Sequence, residues 1–217
     1  MVRTGLIGYG YWGPKLARCM APDTGCALGT VCDLSAERLG AAAADHPHVI
    51  TQRDWRKLLG DPQIDAIVIA TPANSHRDLA LAALDAGKHV LVEKPMALSS
   101  SDAMTMIAAA HRRNLVLLVD HTYVHSPAMQ AIRRALTQGS LGQVREYRSL
   151  RYNAEGGRRD SDVLWDLAAH DLSILEFLFP GAARAVRVGE SSRTDGGAPS
   201  RATLAVYFPD SLVARIR

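Results

Sequence analysis

Three glycines spaced Gly8-x-Gly10-x-x-Gly13 follow directly on the apolar run Gly5-Leu6-Ile7, and that placement suits the holding of a pyrophosphate. Glycines at this spacing turn the chain sharply out of a strand, bring backbone N–H groups close to an anion and open a helix whose N-terminus favours negative charge. Asp33 closes the next apolar run, 20 residues beyond Gly13, where a carboxylate accepts hydrogen bonds from ribose hydroxyls. Its charge repels a 2′-phosphate, which favours NAD over NADP. The alternatives are a tight strand–helix turn without a ligand for the glycines, and an N-cap of the helix near Ser35 for Asp33. Tyr11 and Trp12, inside the turn, join the candidate cofactor contacts, with apolar packing as the alternative for Trp12.

Two further groups follow apolar runs. Thr71-Pro72-Ala73-Asn74-Ser75-His76 comes after Ile64 to Ala70, at the carboxyl end of a strand where ligands bind in parallel sheets. Thr71, Pro72, Asn74 and His76 are therefore candidate cofactor contacts, and Asn74 or Ser75 also suits a helix cap. Glu93-Lys94-Pro95 comes after His89 to Val92 and belongs to the same edge. A lysine there can stabilise the negative charge on an alkoxide, the charge that a hydride transfer must manage; a solvated Glu–Lys pair is the alternative.

Asp166 and His170 are four residues apart in a helical stretch, so their side chains share one face. The acid can orient the imidazole, which then exchanges a proton with a hydroxyl near neutral pH; a helix-stabilising ion pair or a satisfied buried histidine is the other reading. Asp171 faces elsewhere and is structural. His121 and His125 have a metal-like spacing, but no third ligand is evident and no metal is expected. His121 and Tyr123 are candidates to line a substrate cleft. Arg151, Asn153, Arg158 and Arg159 can contact a polar or phosphorylated substrate, or form a solvated loop; Trp165 is divided equally between ligand contact and packing.

The elements that must position these residues alternate. From Val2 to Asp120, short β-favouring runs (Thr4 to Ile7, Ala27 to Cys32, Val49 to Thr51, Ile64 to Ala70, His89 to Val92, Leu115 to Val119) are separated by alanine-rich amphipathic stretches. This rhythm predicts βαβ units and a parallel sheet covered on both faces. Ser99 to Asp102 and Ser126-Pro127 mark helix starts. Beyond Gly142, longer runs (Gln143 to Tyr152, Ala183 to Ser191, Arg201 to Phe208, Ser211 to Arg217) surround one helix, Val163 to Phe179, and predict a second α+β domain with a partly antiparallel open sheet. Pro209-Asp210 fits a hairpin turn, and Ser191 to Ser200 a mobile loop. The predicted division is a dinucleotide-binding domain over 1–120 and a substrate and oligomerisation domain over 121–217. The terminal run is expected to be a bare apolar edge that another chain or a longer sheet covers.

The 217 residues carry a net charge of +3 with 47% hydrophobic content, and the basic residues are spread along the chain. Neither a nucleic-acid stripe nor a membrane patch stands out. Three cysteines without a CxxC pair, no signal-like start and no run of membrane-span length predict a cytoplasmic, soluble protein.

The Rossmann half, the Glu93-Lys94-Pro95 phrase and the mixed β region together resemble the Gfo/Idh/MocA oxidoreductases. Asp120-His121-Thr122-Tyr123, Ser126-Pro127-Ala128 and Leu164-Trp165-Asp166-Leu167-Ala168-Ala169-His170-Asp171 extend the resemblance. It implies NAD as cofactor, a sugar or polyol substrate and a catalytic set of Lys94, Asp166 and His170. Members acting on nucleotide-linked sugars share phrases such as GYWGP and LWDLxxHD. The family's second domain usually continues into a larger open sheet, so 121–217 is expected to be incomplete. A catalytically idle NAD-binding protein and a ketoreductase working in the reducing direction are the competing readings.

Overall fold

The computed structural model describes residues 1–152, 163–181, 183–193 and 199–217, which divide into two compact units, Met1–Asp120 and His121–Arg217. In the first unit the chain runs β1 (Val2–Ile7), α1 (Gly13–Cys19), β2 (Cys26–Cys32), α2 (Ala36–Asp45), β3 (Ile50–Gln52), α3 (Trp55–Leu59), β4 (Ala66–Ile69), α4 (His76–Asp85), β5 (His89–Glu93), α5 (Ser100–Arg112) and β6 (Leu117–Asp120). The six strands form one parallel sheet in the order β3-β2-β1-β4-β5-β6. That is the order of a doubly wound dinucleotide-binding sheet, with its switch point between β1 and β4. Because every strand runs the same way, Gly8, Asp33, Thr71, Lys94 and Asp120 all fall at or just past carboxyl ends on one edge.

Strands buried on both faces explain the near-continuous apolar runs. Ile7, Ile67, Ile69, Val90 and Val92 pack on one face with Leu79, Ala83 and Leu84 of α4 and Met106, Ala109 and Ala110 of α5. Leu6, Val31 and Val68 pack on the other with Ala17 of α1 and Leu39 and Ala42 of α2. Helix starts follow side-chain chemistry. Ser35 Oγ accepts from the Arg38 N–H at 3.3 Å and Ser99 Oγ from that of Asp102 at 3.1 Å.

The second unit contains α6 (Pro127–Thr137), β7 (Glu146–Ser149), α7 (Ala169–Leu178), β8 (Ala185–Arg193), β9 (Pro199–Tyr207) and β10 (Val213–Ile216). Ser126 caps α6 as predicted, its Oγ accepting from the Met129 N–H at 3.3 Å. The sheet order is β7-β10-β9-β8. Leu175 of α7 packs with Leu204, Val206, Phe208, Leu212, Ala214 and Ile216 beneath it.

The sheet is partly antiparallel, as expected: β10 pairs parallel with β7 and antiparallel with β9, and the long connection through α7 supplies the crossover a parallel pair requires. Two expectations change here. The terminal run is not an edge, since β10 is hydrogen-bonded on both sides. The strand predicted over Gln143 to Tyr152 is ordered as a ladder only over Glu146–Ser149. On the sheet's outer face Arg148, Arg215 and Arg187 lie in one cross-strand row, with Ala205 between the last two. They border a groove of about 600 Å³, and Arg148 and Arg215 both pair with Glu146. The polar stretch Ser191 to Ser200 lies partly outside the described residues.

Burial in the first unit has a consequence at high pH. Burial, with the Asp33 and Asp54 carboxylates nearby, pushes the Cys32 thiol up from 9.0 to about 11. Burial, together with a hydrogen bond to Asp45, pushes the Tyr9 hydroxyl from 10.0 to about 12. The fold holds both groups protonated, so their stabilisation is complete below the unfolded values and is lost as pH rises through the folded ones. The urea midpoint is expected to fall progressively from about pH 9 to pH 12, and less steeply in Cys32→Ala. A flat midpoint over that range contradicts the assignment.

Candidate functional site

The glycines of the β1–α1 turn have three separate reasons to be glycine. Gly8 has φ +98°, and a Cβ there would lie 2.6 Å from the Ala70 carbonyl oxygen. A Cβ on Gly13 would collide with the Gly8 carbonyl oxygen. Gly10 has no such constraint, since the nearest atom to a Cβ would be Arg38 Nη1 at 3.7 Å. The protein itself does not require a glycine at residue 10, whereas a ligand approaching the backbone does. The turn therefore fits a dinucleotide pyrophosphate. Lys15 in α1 lies 3.5 Å from the Tyr11 ring centroid and 4.2 Å from that of Trp12, ordering the exposed side of the turn.

Asp33 is buried, and its carboxylate ties β2 to the turn. Oδ2 accepts from the Tyr9 N–H at 2.7 Å and Oδ1 from the Ser35 N–H at 2.9 Å. Ser35, not Asp33, caps α2. A carboxylate has about four lone-pair sites, so two backbone donors leave room for ribose hydroxyls. Arg38 Nη1 stands 3.6 Å from Oδ2. The sequence reading missed this cation, although Asp33 and Arg38 straddle the helix start at a spacing that lets the first turn of α2 fold back over the acid.

His76, the first residue of α4, is fully buried. Its Nδ1 lies 2.8 Å from the Pro95 carbonyl oxygen and its Nε2 2.9 Å from that of Thr71. Both bonds form together only when the ring carries two N–H groups. The histidine thus braces the loop after β4 against the loop after β5. Ser75 Oγ lies 2.7 Å from Thr71 Oγ1 and donates to the Pro72 carbonyl at 2.7 Å, so it orders the same loop without capping α4. Pro72 and Asn74 belong to this braced segment, with Asn74 in its short 3-10 turn.

Glu93 and Lys94 are 5% and 4% exposed, which rules out the solvated pair. Glu93 is the last residue of β5, opposite Asp120 of β6. The Lys94–Pro95 peptide is cis.

In the second unit the helix predicted over Val163 to Phe179 is not uniform. Leu164–Ala168 forms a π-turn that leads into α7. Asp166, buried, lies in the wide turn and His170 in the α-helix, so the α-helical geometry that would place them on one face does not span both residues. π-turns concentrate at functional sites. The Tyr123 ring meets His170 edge-to-face at 4.9 Å. The Arg151 guanidinium lies over Tyr123 at 4.6 Å, and its Nε donates to Asp171 Oδ2 at 2.9 Å. His121 lies at the start of the 3-10 turn that carries Tyr123, and Trp165 is exposed within the π-turn. Asn153, Arg158 and Arg159 lie outside the described residues. Among the described residues, no three His, Cys, Asp or Glu side chains gather as metal ligands, and no helix is long and apolar enough to cross a membrane.

Similarity to known proteins agrees with this geometry. The 1,5-anhydro-D-fructose reductase of Ensifer adhaerens is 31% identical over 208 residues, covering 88% of this chain and 61% of that protein. The UDP-N-acetylglucosamine 3-dehydrogenase of Acidithiobacillus ferrooxidans is 34% identical over 201 residues, covering 89% of this chain and 60% of that protein. The chain thus spans about three-fifths of these relatives' length. The crystal structure of an NAD-binding protein from Listeria innocua matches with a TM-score of 0.88 at 26% identity, covering 99% of this chain and 66% of that one. The oxidoreductase family with an NAD-binding Rossmann fold matches over residues 2–121. With more than half of its length matched in this way, and with a glycine turn, acid and strand order that suit a dinucleotide, the chain belongs to the Gfo/Idh/MocA family of oxidoreductases.

Proposed function

We propose that the protein is an NAD-dependent oxidoreductase that moves a hydride between nicotinamide and a secondary alcohol or ketone of a sugar, nucleotide-linked sugar or polyol. The observation that carries this reading is the convergence, on one sheet edge, of a glycine turn with an open Gly10, a buried acid and a buried lysine. Sugar-active relatives support the substrate class. Residues 1–120 hold the dinucleotide and residues 121–217 serve the substrate.

A bound nicotinamide dinucleotide supplies the hydride acceptor or donor. Amides of the Gly8–Gly13 turn receive its pyrophosphate, and Asp33 accepts from its ribose hydroxyls. The braced loop of Thr71, Pro72, Asn74 and His76, with Glu93, borders the same edge. Lys94 stabilises negative charge on the substrate oxygen. His170 removes the hydroxyl proton in oxidation and returns it in reduction, and Asp166 orients the imidazole.

Fluorescence titration with both reduced cofactors is expected to show tighter binding of NADH than of NADPH, because the Asp33 carboxylate repels a 2′-phosphate. Arg38 beside it moderates the preference. Asp33→Ala should narrow the difference and Arg38→Ala should widen it. Equal affinities in the wild type, unchanged in Asp33→Ala, would remove Asp33 from the cofactor site.

A further inference from the structure

We propose that Asp171, Arg151 and Tyr123 form a positioning chain that fixes the orientation of the His170 ring and balances the charge around it. This rests on His170 being the proton-exchanging group. It gives Tyr123 and Arg151 a different task from substrate contact, and gives Asp171 a task beyond packing.

The chain begins at a buried charge. Asp171 is 1% exposed, and its carboxylate is held from two sides, by Ser149 Oγ at 2.5 Å and by Arg151 Nε at 2.9 Å. Ser149 ends β7 and Arg151 follows it, while Asp171 projects from α7, so strand and helix are locked together through this carboxylate. Tyr147, also on β7, faces the same group. Burial, with the Asp171 charge beside it, holds its hydroxyl above the usual range. A carboxylate taken out of water needs such donors, and a planar guanidinium meets one with fixed orientation.

That orientation is passed on. With Nε committed to Asp171, the guanidinium lies across the Tyr123 ring at 4.6 Å, a cation–π contact. Tyr123 is 44% exposed, and the guanidinium on its ring and the imidazole against it restrict its rotation. The ring meets His170 at 4.9 Å and 81°, an edge-to-face arrangement that a different imidazole rotamer would break. Three contacts thus connect a buried acid to the imidazole of its own sequence neighbour, which the helix turns in another direction.

The chain also carries charge. The elements packed against this part of α7 bring Asp166 from the π-turn, and His121, Tyr123 and His125 from the 3-10 turn. Arg133 of α6 donates instead to the carbonyls of Phe177 and Leu178 at the far end of α7. Arg134 is the other charged side chain in that part of α6. Arg151 is the cation stacked on the ring that touches His170, and Asp171 neutralises it. Removing either partner leaves a single charge near the imidazole, of opposite sign in the two cases.

The test is the titration of the His170 Cε1–H resonance by NMR, assigned by its loss in His170→Asn and read beside turnover and KM. Arg151→Gln is expected to raise the midpoint by about half a unit or more, and Asp171→Asn to lower it by a similar amount. In Tyr123→Leu, kcat should fall with KM near wild type, and Arg151→Lys should restore the wild-type midpoint. Unchanged midpoints in both charge variants, or shifts of the same sign, overturn the proposal. A rise in KM with kcat and midpoint unchanged overturns it in favour of substrate contact. Should Asp171→Asn fail to fold, Arg151→Gln and its lysine counterpart still decide. Opposed shifts with full turnover in His170→Asn uphold the chain and refute the catalytic reading, so the two failures are distinguishable.

Discussion

Replacing Lys94 or His170 by alanine is expected to lower turnover by about 10²–10⁴ while NADH affinity stays near its wild-type value. Both residues are assigned to the substrate hydroxyl and its charge, and neither is assigned to the pyrophosphate. Lys94 is buried just past the end of β5, where desolvation strengthens its field on a developing alkoxide. His170 supplies the proton exchange. Asp166→Asn should lower turnover less, and should move the limb of the pH profile due to His170 toward lower pH, because it removes a negative charge that favours the imidazolium. The measurement is steady-state turnover with a panel of sugars and nucleotide-linked sugars, beside NADH titration of each variant. If all three variants retain wild-type turnover, the catalytic set is wrong. If the wild type binds NADH and turns nothing over, the idle NAD-binding reading leads.

Gly8 and Gly10, two residues apart, are expected to respond in opposite ways to substitution. Gly10→Leu should reduce NADH affinity at least about tenfold, a loss of about 1.4 kcal/mol, with little change in melting temperature, because nothing in the protein lies closer than 3.7 Å to its Cβ position. Gly8→Val should instead destabilise the fold by about 3 kcal/mol or more. Its φ of +98° and the Ala70 carbonyl oxygen 2.6 Å from the new Cβ leave no place for a side chain. Thermal melts and NADH titration of both variants separate the two roles. Equal destabilisation would make Gly10 a folding glycine, and wild-type NADH binding by Gly10→Leu would move the pyrophosphate away from the turn.

Much of the first unit was legible from sequence because its signals are local. Apolar runs mark strands that must be buried on both faces, and Ser99 marks a helix start through a bond that reaches only three residues, as Ser126 does in the second unit. Glycine spacing marks a turn whose backbone needs positive φ. The parallel reading then brought Asp33, Thr71 and Lys94 to the same edge as the glycines without any knowledge of side-chain contacts. The second unit was less legible. A run such as Ser211 to Arg217 has the same alternation whether it lies at an edge or between two partners, and β10 proved to lie between β7 and β9.

What the sequence determined by itself was the order of elements, the family and the residue types available at the carboxyl edge, since each depends on spacing along the chain. Tertiary structure decided which groups meet. Tyr9 donates to Asp33 across 24 positions, His76 bridges to Pro95 across 19, and Arg151 reaches Asp171 across 20. No periodicity encodes such pairs. They form because a buried charge or ring nitrogen must find a partner within about 3 Å, and the partner is whichever group the packed strands and helices bring there.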